Sequence, residues 1–154
     1  MTEHFGHLIG GHEIGSTPVF LSRNSSDLAD VIGSFPEATR EQVQHACDTA
    51  RRAFVDWRKT PAPIRGQIIG RIGTAIAREK DSLSYLVSRE MGKTLKEAGG
   101  DVQEAIDTCQ FFQSEGRRLY GQTVPSEMPN KELMTYRRPL GVVGIITAGN
   151  FPIA

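Results

Sequence analysis

The stretch Pro139-Leu140-Gly141-Val142-Val143-Gly144-Ile145-Ile146-Thr147 constrains this chain more than any other part of it. Its apolar residues do not alternate with polar ones, which is the pattern of a strand buried on both faces of a parallel sheet. Such a strand needs a parallel neighbour and a crossover connection of roughly a dozen residues or more. Little sequence follows it before Ala154. The chain is therefore expected to be the beginning of a larger domain, with the rest of the sheet supplied by further sequence.

The elements before that strand fall into three blocks. Phe5 to Ile9 and Glu13 to Gly15 flank a Gly10-Gly11 turn. Val19 to Ser22 and Ala29 to Phe35 flank the turn-rich Asn24-Ser25-Ser26-Asp27, so hairpins are expected in this region. The period then changes. Val43, Ala46, Cys47, Ala50, Ala53, Phe54 and Trp57 share one helical face, and Thr39 with Gln42 forms a capping box at its start. Pro61 and Pro63 open a second helix whose stripe is Ile64, Ile68, Ile72, Ala75 and Ile76. Its glycines 66, 70 and 73 suit close packing against a neighbour. A third helix through Leu83, Leu86, Val87 and Met91 stops at Gly92. Thr94 and Glu97 cap a fourth, with Val102, Ala105, Ile106, Cys109 and Phe112 on one face. Thr123 to Ser126 and Leu133 to Arg138, separated by Glu127-Met128-Pro129-Asn130, read as a two-stranded ribbon.

Charge and composition exclude several functions. The 18 basic residues balance 18 acidic ones, and no run of like charges is longer than two residues, as in the arginine pairs at 51/52, 117/118 and 137/138, so neither nucleic acid nor an anionic membrane is an expected partner. No stretch reaches the roughly 18 apolar residues of a membrane span, and the start lacks the apolar core of an export signal, which makes a cytoplasmic location the expectation. Cys47 and Cys109 cannot build a disulfide framework, and each lies in an apolar stripe, where an inert core thiol is expected rather than a nucleophile. His4, His7 and His12 with Glu13 match no strong zinc spacing, so no metal site is expected. Gly92-Lys93-Thr94 resembles the end of a phosphate-binding loop, but Val87 stands where that loop requires its first glycine. Gly141-Val142-Val143-Gly144 lacks the third glycine of a dinucleotide fingerprint.

The turn Thr147-Ala148-Gly149-Asn150-Phe151-Pro152 lies at the carboxyl end of the predicted buried strand, where open α/β sheets place ligands. From the residues alone, Asn150 is either an ordinary turn asparagine or a donor aimed at developing negative charge.

The order of segments carries a resemblance. Ile9-Gly10-Gly11, Pro36-Glu37-Ala38-Thr39, Ala53-Phe54-Val55-Asp56-Trp57, Glu90-Met91-Gly92-Lys93, Gly121-Gln122-Thr123-Val124-Pro125 and Arg138 to Thr147 lead in turn to Asn150-Phe151-Pro152. From about Leu8 to Ala154 the chain resembles the N-terminal portion of an NAD(P)-dependent aldehyde dehydrogenase. The resemblance implies an α/β protein: the N-terminal part of an aldehyde dehydrogenase-like fold, with helices of a Rossmann-like cofactor domain, a β-ribbon and a first core strand. Residues 1–120 would pack on the cofactor domain, 121–138 would start a bridging and oligomerisation ribbon, and 139–154 would form the first strand of the dinucleotide-binding sheet and the Asn-Phe-Pro turn.

For function, the resemblance implies oxidation of an aldehyde to a carboxylic acid with NAD or NADP through a cysteine thiohemiacetal, in a homo-oligomer. Asn150 matches the asparagine that stabilises the oxyanion, Ile146, Thr147 and Ala148 match the segment beside the cofactor, and Phe151 matches an aromatic of the substrate channel. Ala148-Gly149 departs from the family, many of whose members have Pro-Trp there. The nucleophilic cysteine and the base glutamate are expected beyond residue 154, so this chain alone is expected to be inactive. The alternative is a truncated, non-catalytic module that binds a partner or a full-length relative.

Overall fold

The computed structural model describes residues 3–15 and 17–154; Met1, Thr2 and Ser16 lie outside the described residues. Two hairpins open the chain. β1 (His7–Ile9) pairs antiparallel with β2 (His12–Ile14) across Gly10 and Gly11, both at positive φ, the backbone region in which glycine carries no side-chain penalty. β3 (Val19–Asn24) pairs antiparallel with β4 (Asp27–Pro36), and Phe5 and Phe20 both stack on Phe35, with ring centroids 4.9 and 5.7 Å away.

Four helices follow: α1 (Arg40–Trp57), α2 (Ala62–Arg78), α3 (Lys80–Met91) and α4 (Leu95–Glu115). Both expected capping boxes form. The Thr39 hydroxyl accepts from the Gln42 amide while the Gln42 side chain accepts from the Thr39 amide, and Thr94 and Glu97 reciprocate in the same way. α3 ends where Gly92 enters the left-handed region at φ 74°.

The core lies where α2, α3 and α4 meet. Val87, Ala98, Val102 and Ile106 are buried together, with Ile76, Leu83, Met91 and the distant Ile153 packed against them. Gly66 and Gly73 are buried in the contact between α2 and α4. A methyl group at position 66 would strike the Gln113 carbonyl, and one at 73 would lie 2.7 Å from Cys109 Cβ. α1 is different, since none of its residues is buried and Val43 and Trp57 of its apolar stripe stay exposed. An amphipathic face has formed there whose partner these residues supply only in part: the β1 segment and Gly141–Gly144 border hollows on it. Cys47 and Cys109 are half-buried rather than full core residues. The first stands at the rim of one such hollow, and the second against Gly73.

β5 (Thr123–Pro125) and β6 (Glu132–Met134) form the expected ribbon, antiparallel and exposed at every residue. The run from Pro139 to Thr147, expected as a strand of a larger sheet, makes no strand with the described residues. Leu140, Ile145 and Ile146 are 95, 81 and 99% exposed. The physical reason is the absence of a partner. Strands are defined by ladder hydrogen bonds, and the sheets among the described residues are three separate antiparallel pairs, none of which lies beside this run. No helix among the described residues is long and apolar enough to cross a membrane.

Candidate active site

The turn at Asn150 is built from two directions. Locally, the Phe151 amide donates to the Ala148 carbonyl at 3.0 Å and closes the bend. From outside, Lys93 reaches into it from the junction of α3 and α4. Its ammonium donates to the Asn150 carbonyl at 2.5 Å and to Asp101 Oδ2 at 2.5 Å, and it stands 4.5 Å from the centre of the Phe151 ring. Asp101 lies on α4 with its side chain only 7% exposed, so this carboxylate is compensated by the ion pair rather than by water. Beyond the turn, Ile153 inserts against the helical core. The backbone of Asn150 is thus tethered on both sides, while the residue itself stays exposed.

The base of Lys93 is also fixed. Ser88 Oγ donates to the Lys93 carbonyl at 2.7 Å, the left-handed Gly92 precedes it, and the Thr94 capping box follows. Hydrogen bonds from the Thr94 side chain and backbone hold the Glu97 carboxyl below its usual range. In the sequence, Gly92-Lys93-Thr94 reads as a helix stop and cap that resembles the end of a phosphate-binding loop, with no sign of a link to Asn150. The role of Lys93 depends on a contact with a residue far along the chain, so no local pattern signals it.

Of the other expected site residues, Ile146, Thr147 and Ala148 are exposed and lead into the turn outside any strand or helix, and Phe151 is half-buried beneath Lys93. Phe151 therefore presents its ring to an ammonium group. Gly141, at φ 106°, begins the open run. Among the described residues no group of three or more His, Cys, Asp and Glu side chains is placed to hold a metal ion. His7 and His12 lie instead in the first hairpin, where Glu13 Oε1 accepts from the Gly6 amide at 2.6 Å.

The strongest charge perturbation lies elsewhere. Asp30 on β4 receives Arg89 Nε at 2.7 Å and Nη2 at 2.5 Å, with Asn24 as a further donor at 3.1 Å. The hydrogen bonds from Arg89, then Asn24, hold its carboxyl at about 2, and the pairing raises Arg89 in turn. This pair fastens the hairpin to α3 and is a structural clamp.

Comparison with solved structures defines the class first. The chain is similar to an NADP-dependent enzyme of E. coli over 98% of its own length and 32% of that chain, with a TM-score of 0.92 and 31% identity. It is likewise similar to the NAD-dependent aldehyde dehydrogenase of Sinorhizobium meliloti, with a TM-score of 0.91, 26% identity and coverage of 99% and 31% of the two chains. The fold is thus the N-terminal part of an α/β dehydrogenase. The aldehyde dehydrogenase family model matches residues 18–154, and the chain belongs to that family. It is 38% identical to aldehyde dehydrogenase family 7 member A1 of Brassica napus, over 99% of this chain and 31% of that protein. It is 43% identical to the alpha-aminoadipic semialdehyde dehydrogenase of Rattus norvegicus, over 77% of this chain and 22% of that protein. The chain therefore spans about a third or less of the length of these relatives.

Proposed function

We propose that this chain supplies one wall of an aldehyde-oxidising active site, in an enzyme whose nucleophilic cysteine and base glutamate come from chain other than these residues. The observation that supports this most directly is the tethered turn that leaves Asn150 exposed at its tip, within the segment matched by the family model. A thiolate attacking an aldehyde carbonyl converts a neutral oxygen into an oxyanion. The Asn150 amide NH2, held on a fixed backbone, donates to that oxygen. A donor already in place costs no reorganisation when the charge develops.

NAD or NADP, when bound, supplies the hydride acceptor that makes the reaction an oxidation. Ile146, Thr147 and Ala148 would lie beside it. They are exposed and their backbone polar groups have no ladder partners among the described residues, which suits the edge of a bound nucleotide. Phe151 lines the approach of the substrate aldehyde. On the same reading, residues 1–120 pack on the cofactor domain, 121–138 begin an oligomerisation ribbon whose exposed Val124, Leu133 and Met134 meet another copy, and 139–154 join the dinucleotide-binding sheet. The location is cytoplasmic.

Two measurements test this. Asn150→Ala in the natural polypeptide that carries this sequence should lower kcat by about 10²–10³-fold, the usual cost of one oxyanion donor; an unchanged kcat refutes the assignment. The isolated chain should form no NADH or NADPH from an aldehyde above a protein-free control, and turnover by it would refute the division of the active site. The bare Leu140, Ile145 and Ile146 favour one second reading, a non-catalytic module that binds a partner or a full-length relative through this run. A soluble monomer with a cooperative melt would support that module, and aggregation or a molten state would support a section of a larger fold.

A further inference from the structure

We propose that Lys93 is a positioning residue for the active-site turn: its ammonium holds the backbone of Asn150 and the ring of Phe151 in place, and Asp101 holds the ammonium. The inference rests on the reading of Asn150 as the oxyanion donor. It goes beyond that reading by naming the group that aims this donor.

The geometry carries the argument. Among the described residues, Asn150 lies in a turn with a single internal backbone hydrogen bond, between a glycine and an aromatic residue, after a run with no sheet partner. Left to itself, such a segment samples many conformations, and a misplacement of about 1 Å can cost on the order of 100-fold in rate. Lys93 supplies the missing restraint. One ammonium meets a carbonyl at 2.5 Å, a carboxylate at 2.5 Å and an aromatic face at 4.5 Å, which uses its positive charge in three directions. Its own position is determined by α3 and α4, because the Ser88 hydroxyl, Gly92 and the Thr94 cap fix its backbone and the buried Asp101 fixes its head. Asn150 thereby inherits the rigidity of the helical core through one side chain. The lysine engages the main-chain carbonyl, so the Asn150 amide group remains available to a reacting oxygen.

The test uses the natural polypeptide that carries this sequence, with Lys93→Met, Lys93→Arg, Asn150→Ala and the Lys93→Met/Asn150→Ala double variant. Hydrogen exchange read by mass spectrometry should show Lys93→Met exchanging about tenfold faster in a peptide spanning 146–154, on the scale of one lost charge-assisted hydrogen bond. A peptide from α1 should be unchanged, and Lys93→Arg, which keeps the charge and the donors, should restore most of the protection. In kinetics, Lys93→Met should lower kcat by about 10–100-fold with little change in KM. The same substitution should have little effect, under about threefold, once Asn150 is alanine, because residues that act as a unit are non-additive.

Unchanged exchange in the 146–154 peptide overturns the proposal whatever the activity shows. Faster exchange with an equal fall in kcat in both backgrounds also overturns it, because Lys93 would then act by a route other than Asn150. If Asn150→Ala leaves kcat intact, the oxyanion reading fails, and exchange alone decides whether Lys93 holds the turn. Asp101→Asn, which keeps the residue's size and removes the carboxylate, is the second variant should Lys93→Met not fold. It should loosen the same peptide, and its failure to do so counts against the proposal.

Discussion

Gly73→Ala tests the packing of the helical core most sharply. α2 passes α4 so closely that a methyl group at position 73 would lie 2.7 Å from Cys109 Cβ. Carbon atoms in unstrained contact sit about 3.5–4.0 Å apart. The helices would therefore have to separate by at least ~0.8 Å locally, since a Cβ is fixed to its backbone and cannot swing away. Overpacking of this kind costs about 1–3 kcal/mol. Against it stands the better helix propensity of alanine, worth about 1 kcal/mol. Gly100→Ala on α4 separates the two contributions, because a methyl group there meets nothing within 4 Å and collects the propensity gain alone. The assay is urea unfolding followed by helical circular dichroism, comparing midpoints at equal slope. Gly100→Ala should be more stable than the parent by about 1 kcal/mol, and Gly73→Ala should fall about 1–3 kcal/mol below Gly100→Ala. Cys109→Ala should not relieve the loss, since it retains the Cβ. Equal stability of Gly73→Ala and Gly100→Ala would refute the close approach of α2 and α4.

Three further outcomes follow from the same physics. Asp30 has its carboxyl depressed from 3.8 to about 2, so its pairing with Arg89 stabilises the fold above the ordinary value and is lost as pH falls through about 2. Acid titration should thus show the stability difference between the parent and Asp30→Asn shrinking between those values, and parallel curves there would contradict the pairing. Thr39→Ala and Thr94→Ala each remove the hydroxyl half of a capping box, and each should cost about 1 kcal/mol in denaturant melts, with no loss at either site counting against the caps. Val102→Ala, at a position with no exposure, should cost about 2–3 kcal/mol, whereas Ile146→Ala, at 99% exposure, should stay within about 0.5 kcal/mol in the isolated chain. A comparable loss at both positions would show that the open run is packed after all.

What could be read from the sequence was local or periodic. Thr39 with Gln42 and Thr94 with Glu97 announce helix starts because the donors they satisfy lie within a single turn. Gly10-Gly11 and Gly92 announce chain reversal and helix termination because few other residues tolerate positive φ. The spacing of Val102, Ala105 and Ile106 likewise identifies the face of α4 that becomes the core, and the colinear motifs from Leu8 to Ala154 indicate the family. Tertiary structure alone decided the rest. α1 has the periodicity of a packed helix yet buries none of its residues, and Pro139 to Thr147 has the composition of a buried strand yet finds no ladder partner among the described residues, because burial and pairing require a second surface that a local pattern cannot supply. The site shows the same division. Asn150 could be singled out by its place after an apolar run, but the tether from Lys93 joins residues far apart in the chain, and only the packing of α3 against α4 brings the ammonium, the Asp101 carboxylate and the Asn150 carbonyl to one point.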